Sequence, residues 1–323
     1  MLGSAVAATL DDVRKVGYIQ CGVSEGVSEF SNPDSESRWA GIDVDVCRVV
    51  AAAIFADADK VKYSPLSVQD GFAALRAGQV DILSRNIAWT LAGDTATGMN
   101  FAGVNFSDGH GFVLRKALGI TSAKELVGAS GCSDKHSGAA GKVADYFRRN
   151  QMASKAVEFE TMGEVLTAYD AGRCDAYTAH RSASVGQGLS LRNPDAHVIL
   201  PDVISKRPLG PLVRHGDDQW LDLVKWTLYA MLEAEEVEIT SANVDGIKAK
   251  STNPEVKRLL GVEGDLGKNL GVSPGWAYNI IKLVGNYAEV FEKHLGPKTA
   301  IGLARGINAL WTKGGIQYAM PVR

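Results

Sequence analysis

The chain has 323 residues, of which 46% are apolar and 22% charged, proportions that exclude a disordered or collagen-like protein and, at this length, suit two domains better than one. With 34 Lys+Arg against 37 Asp+Glu the net charge is −3 and no basic run occurs, which argues against nucleic acid as a partner. The longest apolar run, Val49 to Ala56, is about eight residues, far short of the ~20 needed to cross a membrane.

Near the start, Ser4-Ala5-Val6-Ala7-Ala8 has the small-residue character of the end of a secretory signal, without the charged and long apolar parts of one. Residues 1–11 are therefore expected to be a signal remnant or a disordered start. Val16 to Val23 reads as a first strand, Phe30 to Trp39 as a polar loop, and Gly41-Ile42-Asp43-Val44-Asp45 as the opening of an alanine-rich helix reaching Asp57. Val61 to Pro65 is a short strand. Four cysteines, Cys21, Cys47, Cys132 and Cys174, lie in no CxxC pair, so the zinc-ribbon and thioredoxin readings fail. Two disulfides in an exported protein is the preferred reading, and four buried thiols is the alternative.

Two segments share one form. Gly71 to Ser84 and Val165 to Thr178 each read as a helix, a glycine stop and a buried strand, around Ala77-Gly78-x-x-Asp81 and Ala171-Gly172-x-x-Asp175, offset by 94 residues. Two similar α/β lobes follow from that. Ligands of open α/β sheets sit at the carboxyl ends of strands, so Asn86 and His180 occupy equivalent places and are expected to face the gap between lobes. From Asp218 onward the pattern is helical, and Trp276 to His294 is a periodic segment whose Trp276, Tyr278, Tyr287 and Phe291 read as packing residues.

The sequence resembles the substrate-binding proteins of polar amino-acid ABC importers, of the general L-amino-acid binding type. The matching stretches are Gly41 to Cys47, Asp81 to Asn86, Asn100 to Gly103, Ala171 to Asp175, Gly210-Pro211 and Gly216 to Trp220. Leu259 to Gly267 and Ala309 to Gly315 extend the resemblance to the end of the chain. It implies an α/β fold of the two-lobe periplasmic binding protein kind (type II, two crossover hinge strands) with a C-terminal helical extension. Lobe one would be residues 12–108 and 210–250, lobe two 112–205, and the extension 251–323, with hinges near Ser107 to His110 and Ser205 to Pro208. It favours the disulfide Cys132–Cys174, and Cys21–Cys47 by the same logic. A small-molecule ligand, ABC permease subunits, a periplasmic location and a monomer are further implications.

The family holds the carboxylate and ammonium of an α-amino acid with an Arg fork, backbone N–H groups at a helix start and an Asp. Here the Arg stretch reads Ala88-Trp89-Thr90-Leu91-Ala92-Gly93-Asp94, with Gly93 where the Arg belongs. The helix start reads Cys132-Ser133-Asp134-Lys135-His136-Ser137, in which Lys135 and His136 could attract a carboxylate. The Asp is replaced within Tyr177-Thr178-Ala179-His180-Arg181, and the usual Gln near the hinge is His110. The expected solute is therefore not a simple L-α-amino acid but a derivative, a small peptide or another zwitterion or anion. Candidate contacts are Glu25, Glu29, Asn86, Trp89, His110, Asp134, Lys135, His136, Ser137, His180 and Arg181. No nucleophile elbow, phosphate loop or metalloprotease motif is present, so neither a cofactor nor catalysis is expected. Two alternatives stand beside this: capture of a metal or metal chelate by His110, His136 and His180, and a cleft enzyme of the dehydratase type.

Overall fold

The computed structural model describes residues 9–27, 30–153, 155–299 and 302–323. The described residues divide into two compact units, the first within 9–106, 209–299 and 304–323, the second within 107–208 and 302–303. In chain order the first unit begins with α1 (Thr9–Val16), β1 (Ile19–Val23), a small hairpin of β2 (Asn32–Pro33) and β3 (Trp39–Ala40), α2 (Ile42–Phe55), β4 (Val61–Pro65), α3 (Val68–Arg76), β5 (Ile82–Leu83), α4 (Leu91–Thr95) and β6 (Met99–Phe101). Next come β7 (Phe106–Asp108), β8 (His110–Arg115), β9 (Ser130–Asp134), α5 (Ala139–Arg149), β10 (Lys155–Phe159), α6 (Met162–Asp170), β11 (Ala176–His180), α7 (Arg181–Leu189), β12 (His197–Ile199) and β13 (Arg207–Leu209). The chain then returns to the first unit through β14 (Leu212–Arg214) and α8 (Asp218–Glu236). It ends with α9 (Val244–Lys250), α10 (Pro254–Leu259), α11 (Leu266–Asn269), α12 (Trp276–Leu283) and α13 (Tyr287–His294).

The two units repeat one wiring. The first sheet has the order β4-β1-β5-β14-β6 and the second β10-β9-β11-β8-β12. In each, three strands joined through helices run parallel and a fourth pairs antiparallel with the third. The internal Ala-Gly-x-x-Asp repeat falls at the same joint in both. Helices α3 and α6 are followed by Gly78 and Gly172 at φ 73° and 77°, a backbone setting that costs glycine least. Both helices start on side-chain caps: Ser67 accepts from the Asp70 N–H, and Thr161 with Glu164 forms a reciprocal capping box. Strands β7 and β13, neighbours in a two-stranded ladder, mark where the chain leaves and re-enters the first unit.

Both cysteine pairs are disulfides, with Cα–Cα separations of 6.3 Å for Cys21–Cys47 and 5.8 Å for Cys132–Cys174. The first ties β1 to α2, and the second ties β9 to the turn before β11. Around them the core is aliphatic: Val44, Val49 and Val50 of α2 are fully buried, as are Tyr169 and Tyr177 beside Cys132.

Three sequence expectations differ from the structure at their edges. Helix α1 starts at Thr9, inside the expected signal remnant or disordered start, because Leu10 and Val13 give it a buried face and the Thr9 N–H donates to Asp217 at 2.7 Å. The periodic segment Trp276 to His294 is two helices. Gly285 at φ 109° breaks the first, and an Asn286–Glu289 capping box starts the second. The C-terminal segment does not form a body of its own. Trp276, Tyr287 and Phe291 are buried within the first unit, where His294 Nε2 lies 2.7 Å from Asp45 of α2 and the Tyr287 hydroxyl donates to the Asn105 carbonyl.

Candidate functional site

In the first unit, β5 runs into Ser84-Arg85-Asn86, and Asn86 adopts a left-handed backbone at φ 60°. That turn delivers its N–H to the carboxylate of Asp43, which also accepts from the Asn105 amide at 2.9 Å. Burial pushes the Asp43 carboxyl up to about 6, against those hydrogen bonds and the charge of Arg85. The Arg85 Nε donates to the Leu66 carbonyl. Trp89 stacks nearly flat on Phe101, with centroids 5.1 Å apart and planes 10° apart, and keeps about a third of its surface exposed. Beyond it, Thr90 caps the short α4 by accepting from the Gly93 N–H, so no side chain stands where the resemblance places an Arg. Glu25 is exposed, and Glu29 lies outside the described residues.

In the second unit the antiparallel register of β8 and β11 sets His110 directly opposite His180, and their rings lie 4.1 Å apart. Their spacing of 70 positions hides this in the sequence, because only strand pairing brings them together. His110 is buried. Its backbone N–H donates to Ser205 Oγ at 2.9 Å, and its ring Nδ1 lies 2.9 Å from the same oxygen. Behind the pair sits Asp108, fully buried, which accepts from Ser182 Oγ at 2.6 Å and from Arg207 Nη1 at 3.2 Å, with His180 Nδ1 at 4.0 Å. Burial is the main cause that lowers both imidazoles. His180 falls to about 4, with Arg207 and His110 adding to the effect and Asp108 opposing it. Both rings are therefore neutral at periplasmic pH. His110 Nε2, His180 Nδ1 and Thr178 Oγ1 are buried without a hydrogen-bond partner among the described residues.

The remaining candidates separate from this cluster. Asp134 closes its own turn by accepting from the His136 N–H at 2.6 Å, while Ser137 Oγ donates to the Asp134 carbonyl. Lys135 pairs with Glu160, and His136 Nε2 lies 3.5 Å from the same carboxylate. Lys135 thus already has a carboxylate beside it in Glu160, and His136 is turned to the same group. Arg181 packs over Gly111, whose place in the register is on the strand face opposite His110, and its Nε has no hydrogen-bond partner among the described residues. The three-histidine metal set is not assembled. His136 is turned to Glu160, and among the described residues no group of three His, Cys, Asp or Glu is placed to hold an ion.

Asp108, Ser205 and Arg207 were not singled out as site residues by the sequence. The only signal for them was their place in the two segments joining the lobes.

Two repeated α/β units joined by a pair of crossover segments, with neutral polar groups gathered at strand ends, define a receptor for a small solute. Residues 19–242 match the family of bacterial extracellular solute-binding proteins, family 3, and the chain belongs to that family. It is a periplasmic binding protein. The General L-amino acid-binding periplasmic protein AapJ of Rhizobium johnstonii is 52% identical over 322 residues, covering 99% of this chain and 94% of that protein. The Glutamate/glutamine/aspartate/asparagine-binding protein BztA of Rhodobacter capsulatus is 46% identical, covering 99% and 95%. Among solved structures, an ABC-transporter periplasmic binding protein from Brucella ovis with glutathione bound has a TM-score of 0.80 and 50% identity. The match covers 98% of this chain and 100% of that one. Among the described residues, no helix is long and apolar enough to cross a membrane.

Proposed function

We propose that this chain is the solute-binding subunit of an amino-acid-type ABC importer, and that its solute is an amino-acid derivative or short peptide rather than a simple L-α-amino acid. The observation that carries this is His180 at the end of β11, a neutral imidazole where the resemblance places the carboxylate that pairs an α-ammonium. A neutral ring offers hydrogen bonds but no counter-charge, and the nearest carboxylate, Asp108, is already engaged by Arg207 and Ser182. Gly93 removes the carboxylate fork in the same way. Loss of a buried charge partner typically costs about 2–5 kcal/mol of affinity, so an ordinary amino acid is disfavoured by several decades. The Brucella ovis relative, solved with glutathione, a tripeptide, supports the same class. In this reading the protein captures its solute by lobe closure, hands it to permease subunits and leaves it chemically unchanged.

A thermal-shift panel of glutathione, short peptides, betaines, sulfonates and the 20 L-amino acids tests this. A solute at about 100 times its Kd adds roughly 2.7 kcal/mol and raises Tm by several degrees. A response to glutathione or another derivative, with none from free amino acids, is expected. Large shifts from ordinary L-amino acids would overturn the reading. Mass spectrometry of the recovered solute checks that it leaves unaltered.

A further inference from the structure

The single hydroxyl of Ser205 serves His110 twice. It accepts the backbone N–H and meets ring Nδ1, both at 2.9 Å. A hydroxyl has one proton to give and two lone pairs to accept with, and both side-chain contacts described for Ser205 are to His110. With one lone pair taken by the backbone, donation of that proton to Nδ1 would leave the ring proton of neutral His110 on Nε2. That atom is buried and has no hydrogen-bond partner within the described protein. Such an orphan is uncommon in folded proteins and points to a partner supplied from outside.

We propose that Ser205 is a positioning residue that fixes the tautomer of His110, so that His110 presents an Nε2–H donor to a carbonyl or carboxylate oxygen of the solute. The inference rests on the second unit contacting the solute. It adds a requirement that the proposed solute class did not contain: the solute carries an acceptor oxygen at this point, and an ammonium or alkyl group there is rejected. His180 supports the arrangement without competing for it. Its ring is tilted 35° to that of His110 with centroids 4.1 Å apart, it makes no hydrogen bond to Nε2, and its own Nδ1 lies 4.0 Å from Asp108. The geometry also accounts for Gly109, whose replacement would bring a Cβ within van der Waals overlap of the Ser205 carbonyl and move the hydroxyl.

Long-range proton–nitrogen correlation spectra of the ligand-free protein read the tautomer directly, before any solute is added. The Nε2–H form is expected in the wild type, a mixture of tautomers in Ser205→Ala, and recovery of the Nε2–H form in Ser205→Thr. The Nδ1–H form in the wild type would overturn the positioning role, whatever the solute proves to be. Glutathione, L-glutamate and L-glutamine are then titrated while the His110 Nε2 signal is followed. Movement of that signal, and a loss of affinity of about tenfold in His110→Phe, are expected for the solute that binds. If none of the three moves the Nε2 signal, or if His110→Phe binds as tightly as wild type, the donor role is wrong even though the tautomer stands. Circular dichroism confirms that each variant is folded.

Discussion

Replacing Asp108 by Asn keeps the shape of the side chain and removes its charge. In the native protein this fully buried carboxylate accepts from Ser182 Oγ at 2.6 Å and from Arg207 at 3.2 Å, and the Arg207 side chain is 25% exposed. Breaking a buried ion pair by removing one partner costs about 3–5 kcal/mol. Because Arg207 keeps some access to water and the amide oxygen can still accept from Ser182, about 2–3 kcal/mol is expected here. The assay must see the second unit. All six tryptophans, Trp39, Trp89, Trp220, Trp226, Trp276 and Trp311, belong to the first, so their fluorescence reports the wrong half of the molecule. Urea unfolding followed by far-UV circular dichroism is the suitable measurement. His180 supplies an independent readout. Asp108 raises its pKa against burial, Arg207 and His110, so D108N should move it below its present value of about 4. A stability loss under about 1 kcal/mol, or a His180 pKa that rises, would refute the account of Asp108 as the buried counter-charge.

Removing the Cys132–Cys174 bridge, which spans 42 positions, should cost about 4 kcal/mol by loop-closure entropy, and the Cys21–Cys47 bridge, spanning 26, about 3.5 kcal/mol. Serine pairs at each site, compared by urea unfolding, check both, and equal stability with and without reductant in the wild type would contradict them. Asp43 is raised to about 6 by burial, so its native pKa lies above the unfolded value and its ionisation destabilises the fold as pH rises from about 4 towards 7. The stability of D43N relative to wild type should therefore improve by about 2–3 kcal/mol between pH 4 and pH 7, and a flat difference would show that the carboxyl titrates normally. Trp89→Ala, which leaves Phe101 unstacked in the first unit, should lower affinity for the responding solute about tenfold while the protein stays folded; unchanged affinity would remove Trp89 from the solute contacts.

Much of the architecture is legible in the sequence alone. The glycine stops at Gly78 and Gly172 mark the same helix-to-strand joint in both units because a left-handed stop is a local backbone requirement that a short motif can state. The disulfide framework followed from the resemblance, with Cys47 and Cys174, one cysteine of each pair, inside the matching stretches. The tail was read less well. Trp276 to His294 has continuous helical periodicity, yet Gly285 and the Asn286 cap divide it, and local chemistry prevailed over the period.

At the candidate site the division is sharper. The proposed loss of the usual charged anchors rests on residue identity at Gly93 and His180, because a side chain that is absent cannot be restored by folding. Which polar groups remain available was decided only in three dimensions. Lys135 and His136 looked free until Glu160, from a neighbouring strand end, was found beside them. His110 and His180 look unrelated in the sequence, but antiparallel pairing sets them opposite each other, and Ser205, 95 positions from His110, becomes its partner through the same unit's packing. Hydrogen bonding and charge compensation act over a few ångströms in space and are indifferent to distance along the chain. The sequence therefore determined the two-unit framework and the residue types on which the proposed solute class rests, while the tertiary structure alone decided which of those side chains pair with one another.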